Sequence, residues 1–110
     1  MSIEDWRDEI DRLDEELVRL LNERSQCAIE IGRIKRELGQ PVYTPSREKQ
    51  VIEHVMQINP GPLDAEAMQR LFERIIDESR RIERVTVEHE MEGKPAPSAK
   101  ASPQKKRRGR

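Results

Sequence analysis

Arg24 stands alone among ten apolar residues in the series Ile3, Trp6, Ile10, Leu13, Leu17, Leu20, Arg24, Cys27, Ile31, Ile34 and Leu38, spaced alternately by three and four. That spacing marks one face of a helix. A guanidinium on such a face needs an anionic partner, either a protein carboxylate or a ligand. Lys35 projects from nearly the same side, about three turns and roughly 16 Å further along the axis. Two long cationic side chains so placed can bracket one small anion. The pattern recurs downstream. Arg47 precedes Val51 by one turn and Glu48 precedes Ile52 by one turn. Ser79 and Glu83 continue the stripe Met68, Phe72, Ile75 and Ile76. Cations, a hydroxyl and a carboxylate facing the interior of a helical bundle are what such bundles use to build ligand sites.

Each residue also has a plainer reading. Arg24 can bridge to Glu48, Glu83 or another acid, and Lys35 next to Arg36 suits the negative end of a helix dipole. Ser79 can be a tolerated small residue, and Glu83 a surface acid in the charge-rich run Arg80-Arg81-Ile82-Glu83-Arg84. Arg7 lies on no buried pattern. Cys27 reads as a small hydrophobe, and Trp6 as an interface residue.

The elements that must carry these residues are helical. Residues 4–37 lack proline, and Gly32 is their only glycine. They predict one helix on the order of 50 Å long, which needs a partner along its whole length. Gly39 and Pro41 end it. Thr44 as N-cap and Pro45 at the first position start a second helix to about residue 57, with Val51, Ile52 and Val55 on one face. Asn59-Pro60-Gly61-Pro62 breaks it, and Asp64 caps a third helix that fades near 88–92. The fold class is all-α, with three helices per chain, one of them very long.

Composition narrows the function. The chain has 110 residues, 39% charged and 3% aromatic, with one cysteine and two distant histidines. So small and charged a chain makes a marginal core, for which oligomerisation is a common remedy. An internal disulfide is excluded, and no metal-ligand spacing or cofactor motif occurs. The acidic N-terminus shows no signal peptide, and no run of about 18 apolar residues could span a membrane. A cytoplasmic location is expected. Residues 1–93 carry a net charge of -8 and residues 94–110 a net charge of +7. A domain over 1–92 followed by a disordered basic tail over 93–110 is therefore expected.

Read in order, Trp6-Arg7, Ile10-Asp11, Leu13-Asp14, Leu17, Leu20-Leu21 and Glu23-Arg24 resemble the opening of the AroQ-type chorismate mutases. Ile31-Gly32-x-x-Lys35, Pro41-Val42-Tyr43, Arg47-Glu48 and Phe72-x-x-Ile75-Ile76-x-x-Ser79 extend the resemblance over residues 3–88. It implies an intertwined homodimeric helical bundle that converts chorismate to prephenate without cofactor or metal. It further implies that Arg24 and Arg47 bind substrate carboxylates and that Arg7 reaches in from the other subunit. Lys35 resembles the lysine bonding the ether oxygen and a carboxylate, Glu48 the acid holding the substrate hydroxyl, and Ser79 the hydroxyl near a carboxylate. Thr44 occupies a substrate-side position where many relatives place aspartate, with capping as its alternative role. Glu83 stands where bacterial relatives often have glutamine, and a carboxyl group can donate there only when protonated.

Arg7 and Arg24 are roughly 25 Å apart on one continuous helix, too far to clasp one ten-carbon diacid from a single chain. Two antiparallel copies of the helix would resolve this. Rival readings are an isochorismate pyruvate-lyase, which resembles this fold and site, and a non-catalytic helical dimerisation module. The segment Lys105-Lys106-Arg107-Arg108-Gly109-Arg110 raises a nucleic-acid contact. Without aromatics or a folded basic face, that ranks behind a solvated tail. With no fused catalytic domain in view the chain reads as monofunctional, and the resemblance admits docking on another shikimate-pathway enzyme.

Overall fold

The computed structural model describes residues 1–93. The expected basic tail lies, apart from Gly93, outside the described residues. Three helices account for nearly all of the rest: α1 (Ile3–Leu38), α2 (Pro45–Ile58) and α3 (Ala65–Met91). The first begins in a reciprocal cap. Ser2 Oγ accepts from the Asp5 N–H at 3.1 Å, while the Asp5 carboxylate accepts from the Ser2 N–H at 3.0 Å. It ends at Gly39, whose φ of 72° places it in the left-handed region that favours glycine. There the Gly39 N–H donates to Arg36 O at 3.1 Å and the Gln40 N–H to Lys35 O at 2.8 Å. Asp64 caps α3 through the Ala67 N–H at 2.7 Å, as the sequence predicts.

Thr44 departs from expectation. It is the N-cap of α2 by position, yet its side chain makes no capping bond. Its hydroxyl instead accepts from Lys35 Nζ at 3.3 Å, because α1 delivers an ammonium donor to the same spot.

α3 packs against both α1 and α2. The assembly measures 54 × 36 × 15 Å. Since a helix with its side chains is about 10–12 Å across, the three lie in little more than one layer. One layer cannot enclose a core. Among the described residues the buried apolar side chains are only Val55, Ile76 and Val87, while Ser79, Glu83 and Thr86 are buried polar ones. From Met1 to Glu23 every residue except Glu9 is exposed.

The apolar stripe of α1 is not the face that α3 covers, so within one chain it stays without the partner that the sequence calls for. Ile10 (54% exposed), Leu17 (53%), Ile31 (50%) and Ile34 (54%) remain open, as does Cys27. α3 meets the neighbouring face instead, where Ser25, Ala28, Ile29, Gly32 and Arg33 are partly or fully covered. Small residues there permit a close approach. A Cβ added at Gly32 would fall 2.4 Å from Glu83 Cγ. Further along, Arg33 donates from Nε to Glu90 Oε2 at 2.9 Å and ties the ends of α1 and α3 together.

Replacing a mid-helix glycine by alanine gains about 0.5–1 kcal/mol of helix propensity, but forcing a methyl into occupied space costs about 1–3 kcal/mol. Gly32→Ala is therefore expected to lower the denaturation midpoint. In a Glu83→Ala background the obstruction is gone, and the same change should raise it. Urea titration of the four chains checks both signs.

Candidate active site

A cavity of about 260 Å³ opens between the C-terminal half of α1, the 39–44 connector, the start of α2 and the middle of α3. Its walls include Arg24, Lys35, Thr44, Arg47, Glu48, Ser79 and Glu83. Seven of the eight residues singled out from the sequence thus converge, although they come from four segments. Arg7 does not join them. It sits on the open stretch of α1, 68% exposed, and pairs with Glu4 at 3.2 Å.

The alternatives for Arg24 resolve against a buried ion pair. Its guanidinium donates to Ser79 Oγ at 2.8 Å, a neutral acceptor, and reaches neither Glu48 nor Glu83. Ser79 is buried because it faces this arginine, so it is more than a tolerated small residue. Lys35 is not a solvated helix-end charge either. Its Nζ donates to the Val42 carbonyl at 3.0 Å and to Thr44 Oγ1 at 3.3 Å, tying the connector to the cavity wall. Arg47 lies on the exposed rim, donating to Gln50 Oε1 at 3.4 Å. Three cations therefore line one cavity with neutral acceptors as their hydrogen-bond partners.

The two acids differ from each other. Glu48 faces Arg80, with Oε2 at 3.4 Å from Nε. Glu83 is 6% exposed, and its Oε2 has no hydrogen-bond partner among the described residues. Burial pushes its carboxyl above the ordinary carboxylate range, partly opposed by the charge of Lys35. It is a surface acid only in sequence context; the turn of α3 after Ser79 points it at Gly32.

Sequence reasoning missed Arg80 and Gly32. Arg80 follows Ile76 by one turn and so carried a helical-period signal, but the run of charges around it hid that signal. Gly32 stood inside a quoted motif with no role attached. Its role is visible only once α3 lies against it.

Among the described residues no cluster of His, Cys, Asp or Glu is gathered to hold a metal ion, and no helix is long and apolar enough to cross a membrane.

An all-helical chain with cations converging from separate helices defines the class, and comparison with known proteins defines the family. Residues 6–84 match the family described as chorismate mutase type II, and the chain belongs to that family. It is 49% identical over 72 residues to the bifunctional chorismate mutase/prephenate dehydratase of Pseudomonas aeruginosa, covering 61% of this chain and 20% of that protein. The corresponding bifunctional protein of Aquifex aeolicus is 38% identical over 79 residues, covering 68% and 22%. The chain thus spans about a fifth of the length of the curated relatives it matches. Among solved structures, the Form II chorismate mutase of Thermus thermophilus superposes with a TM-score of 0.73 at 40% identity, covering 74% of this chain and 93% of that one. The chorismate mutase of Helicobacter pylori in complex with prephenate gives 0.66 at 34% identity, covering 72% and 86%.

The sign of the Glu83 effect on stability follows from its direction. A carboxyl raised in the folded state stabilises fully below the ordinary carboxylate range, and that contribution is lost as pH rises through the raised value. The melting temperature of Glu83→Gln relative to wild type should therefore climb as pH rises above the ordinary carboxylate range. Thermal denaturation followed by circular dichroism checks this; a constant difference would mean that Glu83 keeps the same proton occupancy on unfolding.

Proposed function

We propose that this chain is a chorismate mutase that rearranges chorismate to prephenate as a homodimer. One observation carries the reading: three cations, none bonded to an acid among the described residues, line a small cavity beside a buried carboxyl with an unused oxygen. A small dicarboxylate is the ligand such a wall suits. Family membership and the named activities of the matched proteins support the same choice.

The reaction breaks one ether C–O bond and forms one C–C bond within a single molecule. It requires no nucleophile or general base. Rate enhancement must come from holding the substrate in a compact chair-like conformer and from stabilising negative charge on the departing ether oxygen. Arg24 and Arg47 hold carboxylates through their forked donors. Ser79 fixes the Arg24 guanidinium, and Thr44 with Val42 O fixes Lys35, so both cations are set before substrate arrives. Lys35 faces the ether oxygen. Protonated Glu83 donates to the same oxygen, and Glu48 accepts from the substrate hydroxyl.

The open stripe of α1 supports the dimer. Each half-exposed Leu or Ile on it gains about 1 kcal/mol on complete burial, and a second α1 running antiparallel matches its length and pattern. That arrangement also brings Arg7 of the partner subunit to the cavity that its own chain cannot reach.

Prephenate formation from chorismate by the purified chain tests the activity; salicylate and pyruvate from isochorismate would identify a lyase instead. Lys35→Ala should lose about 10²–10³ in kcat, the usual cost of a preorganised charge-stabilising donor. Mixing refolded Arg7→Ala and Lys35→Ala chains should then restore about a quarter of wild-type activity, because random pairing gives half heterodimers with one intact site each. No recovery would place Arg7 outside the partner's site.

Activity should rise toward mildly acidic pH as Glu83 gains its proton, and Glu83→Gln should flatten that dependence. A wild-type rate constant from pH 5 to 8 together with an inactive Gln variant would overturn the donor role.

A further inference from the structure

Arg80 is the one cation on the cavity wall that is matched by acids among the described residues, and its three anchors come from three different segments. Within α3 it donates to Asp77 Oδ1 at 2.7 Å. Across to α2 its Nε lies 3.4 Å from Glu48 Oε2. Its guanidinium carbon sits 4.7 Å from the centre of the Tyr43 ring in the connector, a stacking distance. One side chain thus joins α3 to the connector and the first turn of α2, the two segments that carry Thr44, Arg47 and Glu48.

Glu48 needs such an anchor. It lies on a wall shared by the inner cavity and an outer cleft bounded by Tyr43, Lys49, Glu53 and Glu73. A carboxylate in that place can turn toward either side. Arg80 engages Oε2, so Oε1 remains available as an acceptor. Its own charge is already matched by Asp77 and Glu48, which distinguishes it from Arg24, Lys35 and Arg47.

We propose that Arg80 is a positioning residue for substrate affinity: it holds Glu48 on the cavity side, oriented to receive the substrate hydroxyl, and Tyr43 holds Arg80. The inference rests on the chorismate mutase reading and on Glu48 as the hydroxyl acceptor. That hydroxyl takes no part in bond making or breaking, so its contact is equally strong in ground and transition states. Losing such a contact raises KM and leaves kcat nearly unchanged.

The experiment is a steady-state comparison of Arg80→Gln, Arg80→Lys, Glu48→Gln and the Arg80→Gln/Glu48→Gln double variant, each checked for folding by circular dichroism. Arg80→Gln should raise KM for chorismate about tenfold with kcat within about twofold. Arg80→Lys, which keeps the charge but lacks the planar fork that bonds and stacks at once, should recover part of the loss. In the Glu48→Gln background, removing Arg80 should add less than about twofold. An unchanged KM in Arg80→Gln overturns the proposal, as does an equal KM penalty in both backgrounds, which would mean direct contact with substrate. A fall in kcat at constant KM overturns it too. Failure of the underlying reading looks different: wild type would not consume chorismate, or Glu48→Gln alone would leave KM unaltered.

Discussion

Like charges brought into one small cavity repel, and in a partly desolvated site that repulsion is only weakly screened. Arg24, Lys35 and Arg47 nevertheless line a single wall, and much of the surrounding structure can be understood as holding them there. Each is rooted in a different place: mid α1, the end of α1, and the first turn of α2. Arg24 is held by Ser79 Oγ and Lys35 by Val42 O and Thr44 Oγ1, all neutral groups that orient a cation without cancelling it. An acid in any of those positions would relieve the repulsion and remove the reason for an anion to bind. Glu83, the buried acid nearest Lys35, is biased toward its neutral form by burial, which preserves the excess of positive charge.

Two faces of α1 divide the remaining work. The face built from Ser25, Ala28 and Gly32 lets α3 come close enough to press Glu83 against the glycine. The adjacent face, built from Ile10, Leu17, Ile31 and Ile34, is left open. A helix using one face for its own chain and another for a further partner needs small residues on the first and large ones on the second. Here Ser25, Ala28 and Gly32 provide the close approach, with Ile29 and Arg33 on the same covered face, while the stripe left open carries the large apolar residues.

The sequence was most informative about elements and least about which surfaces meet. Apolar periodicity, the Gly39 stop, Pro45 at a helix start and Asp64 as a cap located all three helices to within about a residue or two, because these signals are local. The cavity residues were legible because a polar side chain on an apolar stripe is conspicuous. The choice of α1 face was not. Counting large apolar residues picks out the stripe left open in one chain, whereas the contact with α3 runs through Ala28 and Gly32, whose value lies in what they lack. The immediate neighbours of Thr44 suggest a cap, the alternative to its substrate-side reading, whereas its actual donor is nine residues away at Lys35. Arg80 was masked by surrounding charges, and only the arrival of Tyr43 and Glu48 from other segments separates it from Arg81 and Arg84.

The last turn of α1 has a dynamic consequence. Lys35 is committed twice at that point: its carbonyl receives the Gln40 N–H that seals the helix, and its ammonium pins the connector at Val42 and Thr44. Unravelling that turn would release both at once, freeing the connector along with the helix end. Helix termini fray and re-form in well under a microsecond, far faster than typical turnover. The end of the helix and the connector beside the cavity are therefore coupled through one residue, and neither can loosen without the other.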